Sequence, residues 1–144
     1  MENHVFETSR TPSIGNSRLD DDHEQIAKLI EALGCASRDD MLNAFDSLRE
    51  ALAEHFSEEN SLMEPHEFAS KECHIDEHAE VLKSFDDVRP FVQSFDVTLV
   101  KRFVSELTSW LPAHIEALDR HLSKLVFFQQ TGGARVAFHR RIAL

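Results

Sequence analysis

Residues 55–78 read HFSEENSLMEPHEFASKECHIDEH, with four histidines and six glutamates in 24 positions. Two pairs inside this stretch, His55 with Glu59 and His74 with His78, are spaced i, i+4. On an α-helix that spacing places two side chains on one face, about one turn apart. Such pairs either hold a common ligand or line a solvated surface. The flanking sequence and the rest of the chain decide between the two.

Working outward, apolar residues recur at helical spacing on both sides. Met41, Phe45, Leu48, Leu52 and Phe56 run on to Leu62 and Met63, which predicts a helix over 38–63, stopped by Pro65. Ser37 followed by Asp40 resembles a capping box at its start. Phe68, Ile75, Val81, Leu82 and Phe85 predict a helix over 66–88, with 90–95 as a connection after Pro90. Upstream, Leu19, Ile26, Leu29, Ile30 and Leu33 predict a helix over 19–33 ended by Gly34, with Asp20, Asp21 and Asp22 at its positive end. Downstream, Asp96 caps a helix from Val97 to at least His121, with Leu99, Val100, Phe103, Leu107, Leu111, Ile115 and Leu118 on its apolar face. Four helices with short connections predict an all-α, up-down-up-down four-helix bundle over 19–121, with an N-terminal arm (1–18) and a C-terminal extension (122–144). Four Gly and four Pro in 144 residues fit helices better than a turn-rich β fold.

The formal charge is −11. Residues 120–144 hold five basic residues and no acid, so 1–119 carry −16. An acidic body excludes nucleic acid as a main partner. No run approaches the ~18 apolar residues of a membrane span, and the first residues lack the apolar core of a signal peptide, so no membrane partner is expected. Two cysteines do not make a disulfide framework, and a reducing cytoplasm is the expected compartment. Cys73, beside His74, reads as a buried or half-buried thiol without a redox role. With no Tyr in the chain, no tyrosine can act as an acid.

Every predicted helix contributes metal-competent side chains: His23, then His55 and Glu59, then His74 and His78, then His114 and Asp119. A lone HxxxH pair is weak, but one such set per successive helix is not. Ionised carboxylates in an apolar bundle cost several kcal/mol without a compensating partner. Seven donors exceed the four of a structural zinc. They suit two iron ions, since imidazole and carboxylate are both good iron ligands and a carboxylate can bridge two metals; manganese would accept the same donors. The ferritin-like plan needs Glu-x-x-His on two helices, and no such motif occurs in this chain.

The order His23, His55-x-x-x-Glu59, His74-x-x-x-His78, His114-x-x-x-x-Asp119, with the surrounding LDDDHEQI, HFSEENSLM, HIDEH and WLPAHIEALD, resembles the hemerythrin family and its single-domain bacterial members. The resemblance spans 19–121. It implies one iron held by His74, His78 and His114, a second held by His23 and His55, and Glu59 and Asp119 bridging both together with a solvent oxygen. It further implies an open position on the two-histidine iron for reversible O2 binding, in an apolar pocket of Ile26, Phe56, Trp110, Leu111 and Ile115. The bare N-terminal arm, which lacks the tryptophan often present in bacterial members, and the long C-terminal extension depart from the family pattern.

His114 and Asp119 are five residues apart, about 500° around an ideal helix, so the two would face directions about 140° apart. Convergence on one ion therefore predicts a π-type widening near 111–119, eased by Pro112, which has no N–H to lose. His4, His66, His121 and His139 fall outside the set and read as surface or supporting groups, with His66 the best placed of them to relay a proton.

The expected function is reversible O2 binding, as a carrier or store, and not enzymatic catalysis. Sensing through a partner protein, with the C-terminal extension as the docking segment, ranks second. A di-iron peroxidase or NO-handling enzyme ranks third, because the pocket offers no acid–base group.

Overall fold

A computed structural model of the chain describes residues 11–130. The expectations for the first ten residues and for 131–144, including His4, His139 and the last part of the C-terminal extension, lie outside the described residues.

Helix α1 spans Ser17–Cys35 and starts where Asn16 accepts from the Leu19 N–H at 3.1 Å. That contact satisfies one of the donors that a first turn leaves unpaired. Gly34 does not stop the helix as predicted. It lies inside it, and a Cβ there would come within 3.2 Å of the Val104 side chain, so glycine permits close approach to the fourth helix. Helix α2 spans Met41–Met63. Ser37 does not cap it: its hydroxyl donates to the Asp40 carboxylate at 3.1 Å, and Asp40 makes no side-chain cap bond of its own.

Helix α3 spans Lys71–Gln93, later at both ends than the predicted 66–88. Residues 64–70 form the turn after α2, where the Lys71 ammonium donates to the Glu64 carbonyl at 3.0 Å. Pro90 lies inside α3, and the helix continues because Val92 is fully buried in the core. Phe95 then takes a left-handed conformation (φ 58°) and closes the helix end. The Asp96 N–H bonds to the Phe91 carbonyl at 2.9 Å and the Phe95 N–H to that of Val92 at 3.1 Å, the pattern glycine usually closes. The Arg38 guanidinium sits 4.3 Å over the Phe95 ring.

Asp96 caps helix α4 (Val97–His114) by accepting from the Leu99 N–H at 3.0 Å. A π-helical turn over Ile115–Asp119 follows, and α5 (Arg120–Gln130) continues the same rod. The C-terminal extension is thus helical up to Gln130.

The helices pack as a ring, α1 on α2 and α4, and α3 on α2 and α4, with no strand among the described residues. Buried positions on α1 (Leu19, His23, Ile26, Ile30, Leu33) and α2 (Phe45, Leu48, Leu52, His55, Glu59, Met63) recur at steps of three and four, with Phe56 beside His55 widening the α2 stripe. The apolar stripe and the metal-competent residues are therefore one stripe, which changes character along its length. In the half near the α3–α4 turn it holds Phe45, Phe85 and Phe103, whose ring centroids lie 4.9–5.9 Å apart. In the other half it holds imidazoles and carboxylates.

Residues 11–16 lie across that second half. Ile14 is buried, its carbonyl accepts from the Ser123 hydroxyl at 2.9 Å, and its N–H donates to Asp20 at 2.9 Å. Arg120 donates to the Ser13 carbonyl at 3.1 Å.

Candidate metal centre

The start of α1, the end of α2, the start of α3 and the end of α4 meet at the same end of the bundle. Each brings its donors there: His23, His55 with Glu59, His74 with His78, and His114 with Asp119 from the π turn. All seven are buried, none more than 5% exposed.

The π turn brings the last two together. The Arg120 N–H reaches back to the Ile115 carbonyl, an i→i+5 bond that adds one residue to the turn. As a result Asp119 Oδ1 comes within 3.1 Å of His114 Nε2, as the five-residue spacing requires.

The imidazoles form two groups around the carboxylates. His23 and His55 have centroids 4.9 Å apart, and His74, His78 and His114 lie 4.5–5.2 Å from one another. Each carboxylate turns one oxygen to each group. Glu59 Oε1 contacts His55 Nε2 and lies 3.9 Å from His23 Nε2. Glu59 Oε2 lies 3.1 Å from His74 Nε2 and 3.7 Å from His78 Nε2. Asp119 Oδ2 is 3.0 Å from His23 Nε2, whereas Oδ1 is 2.9 Å from His74 Nε2.

These atoms are close but not aligned as hydrogen bonds: all five Nε2 atoms and all four carboxylate oxygens are buried without such a partner. Orphaned polar atoms of this kind cost about 1–3 kcal/mol each, more when charged. They aim at shared points, which cations would fill. Two metal-competent sets result, Glu59, His74, His78, His114, Asp119 and His23, His55, Glu59, Asp119, with ligand atoms within 4.8 Å of one another in each. Opposite ligands at bonds of about 2.0–2.2 Å lie about 4.0–4.4 Å apart, so each set is close to one ion's coordination sphere.

Three of the imidazoles are held from outside through Nδ1. His55 donates to Asp22 at 3.1 Å, His78 to the Asn60 side-chain oxygen at 2.8 Å and His114 to Glu77 at 2.9 Å. A carboxylate has no proton to give, so Nδ1 of His55 and His114 carries one, and Nε2 is the nitrogen left to bind a cation inward.

Residues 15–126 match the family described as "Hemerythrin HHE cation binding domain". The chain belongs to the hemerythrin family. It is 32% identical to Bacteriohemerythrin of Ralstonia nicotianae over 119 residues, which cover 83% of this chain and 87% of that protein. No solved structure is a significant match.

The hemerythrin bundle pays for its buried charges by shifting them against one another. Burial disfavours charge on His23 and His74, but pairing with Asp119 and Glu59 outweighs it and raises both to about 9. Burial also opposes ionisation of Glu59, yet His23, His55 and His74 bring it down to about 2. Asp119 is driven lower still against the same burial, by His114, His23 and His74. Burial, together with the charges of His74 and His114, pushes His78 down to about 3. Without a metal, protonated His23 and His74 thus offset the two carboxylates, while His78 stays neutral.

Of the expected pocket residues, Ile26, Phe56, Leu111 and Ile115 are buried and Trp110 is half-buried. Phe56 stacks on His78 at 4.0 Å and 9°, and Trp110 lies 4.6 Å from His114, so both rings touch the three-histidine group. His66 and His121 belong to neither metal-competent set. Cys73 and Cys35 are both exposed free thiols; Cys73 was expected to be at least partly buried, but it sits one position off the face that carries His74. No helix among the described residues is long and apolar enough to cross a membrane.

Proposed function

We propose that the chain holds two iron ions and binds O2 reversibly, as an oxygen carrier or store. The observation that supports this most strongly is the division of both carboxylates between unequal histidine groups. His74, His78 and His114 with Glu59 and Asp119 give one ion five protein donors, and His23 and His55 with the same carboxylates give the other four. With one protein donor fewer, the second ion would be the one with room for an added small ligand. A redox pair with one open position supplies electrons to a small diatomic ligand and takes them back on release.

The chain's own residues do the rest. Glu59 and Asp119 hold the ions together, and Asp22, Asn60 and Glu77 fix the imidazoles. Ile26, Leu111 and Ile115, with Phe56 and Trp110, form an apolar surround that limits access of water and protons and so slows irreversible oxidation. Ile26, Phe56, Trp110, Leu111 and Ile115 carry no acid–base group, which favours binding over turnover. The exposed free thiols fit a reducing cytoplasm. The extension beyond residue 121 is the segment offered to a protein partner.

The test is an anaerobic optical titration of the ferrous protein. A visible band that appears with O2 and disappears on argon purging supports the reading. Fast irreversible oxidation favours sensing or catalysis, and turnover of peroxide with an organic reductant favours the enzyme.

A further inference from the structure

Glu77 precedes His78 on α3, yet both its partners are on α4. Its Oε1 accepts from the Trp110 indole N–H at 2.8 Å and from His114 Nδ1 at 2.9 Å. Trp110 and His114 are one turn apart, and their rings lie 4.6 Å apart at a tilt of 32°. One carboxylate oxygen therefore sets the orientation of two residues on successive turns of the neighbouring helix. Since both nitrogens must donate, His114 is left with Nε2 as the nitrogen that faces Asp119 and can bind a cation.

The other members of this group are held differently. His78 donates to the neutral Asn60 amide, and His74 Nδ1 has no hydrogen-bond partner. Among the described residues Glu77 is thus the one acidic outer partner of the three-histidine group, as Asp22 is for His55 in the other group. Its side chain is 33% exposed, so it reaches from the surface of the bundle to the edge of the buried cluster.

We infer that Glu77 is a positioning residue for the three-histidine ion: it clamps Trp110 onto His114, fixes the tautomer of that imidazole and strengthens its Nε2 as a donor. This rests on the reading that His74, His78 and His114 hold an ion. Outer partners of metal-bound histidines typically carry about 10–100-fold in affinity.

Trp110 is the only tryptophan in the chain, so its emission reports this corner alone. The experiment compares the full-length wild type with Glu77→Ala, Glu77→Gln and Asp22→Ala, first metal-free and then titrated anaerobically with ferrous ion. In metal-free Glu77→Ala the emission should move to longer wavelength, because the indole loses its partner to water. Glu77→Gln keeps an acceptor oxygen and should keep the wild-type emission position. On titration, quenching of Trp110 should need about 10–100-fold more iron in Glu77→Ala, and an intermediate amount in Glu77→Gln. Asp22→Ala should weaken uptake of one equivalent while Trp110 quenching follows the wild-type curve.

Wild-type emission in metal-free Glu77→Ala, or a quenching midpoint within threefold of wild type in both Glu77 variants, overturns the proposal. So does a Trp110 midpoint displaced as far by Asp22→Ala as by Glu77→Ala. If Glu77→Ala does not fold, the Glu77→Gln midpoint decides. A wild-type chain that takes up no iron refutes the ligand reading instead, and the metal-free emission still tests the Glu77 contact by itself.

Discussion

Replacing Glu59 with glutamine changes one oxygen to an amide nitrogen and removes one charge, with almost no change in volume. In the wild type, Oε1 faces His23 and His55 and Oε2 faces His74 and His78. The amide can present an oxygen to only one of these groups, and its NH2 must point at the other. One ion therefore loses an anionic ligand and meets two N–H donors, and the other keeps a neutral oxygen. Removing one partner of a buried charge pair costs about 3–5 kcal/mol, which is about 10²–10⁴-fold in affinity at 1.36 kcal/mol per factor of ten. Metal analysis after anaerobic loading with ferrous ion should fall from two equivalents per chain to one or fewer. A thermal melt supplies an independent measure. At free metal of about 100 times Kd, each filled site adds about 2.7 kcal/mol, a rise on the order of 10 °C for a chain of this size. Glu59→Gln should lose more than half of the wild-type rise. Two equivalents bound in Glu59→Gln, with affinities within threefold of wild type, would refute the bridging role.

Three further outcomes follow from the geometry. The metal-free protein should be most stable near pH 6.5. His23 and His74 are raised to about 9, so their contribution is complete below about 6.5 and fades as pH climbs toward 9. On the acid side, His78 is lowered to about 3, so stability falls as its unfolded counterpart protonates below about 6.5, and Glu59, lowered to about 2, adds a further loss below about 4.5. Bound metal takes the place of the Nε2 protons and should flatten the alkaline limb; a metal-free melting temperature constant from pH 6.5 to 9 contradicts the assigned charges. Phe45→Ala, in the aromatic half of the stripe, should cost about 3–5 kcal/mol in denaturant unfolding yet leave two metal equivalents bound, and loss of metal at intact fold would show that the two halves are not separable. His66→Ala should also retain two equivalents by metal analysis, because His66 is in neither donor set.

The bundle was legible because its stripe is strongly periodic on all four helices, and the seven donors occupy that same stripe. The π turn was legible for a sharper reason. Once the family resemblance sets His114 and Asp119 on one centre, a five-residue step between them does not fit a regular helix and calls for an extra residue in the turn. The end of α3 was misplaced because Pro90 was read as a stop, whereas burial of Val92 outweighs the hydrogen bond a proline forfeits. Gly34 was misread in the same way, since a glycine needed for close helix approach looks like a terminator in sequence. Asp22, Asn60 and Glu77 were missed altogether. Each is adjacent in sequence to a donor, but each serves an imidazole on another helix, and nothing in the string separates them from neighbours such as Asp21, Glu58 or Asp76. Only the packing of one helix on the next assigns them.

The surplus residue in Ile115–Asp119 also sets the phase of everything after it. Excising Ala117 would let the rod run as a plain α-helix, turning α5 by about 100° and drawing it in by about 1.5 Å. Asp119 would swing away from His23, His74 and His114, and Leu122 and Ser123, now buried, would rotate with it, so that the hydroxyl holding the Ile14 carbonyl would face elsewhere. A one-letter deletion would thus unfasten the crossing segment and open the centre in a single stroke, which makes this short span the chain's least forgiving place for a frame-preserving loss.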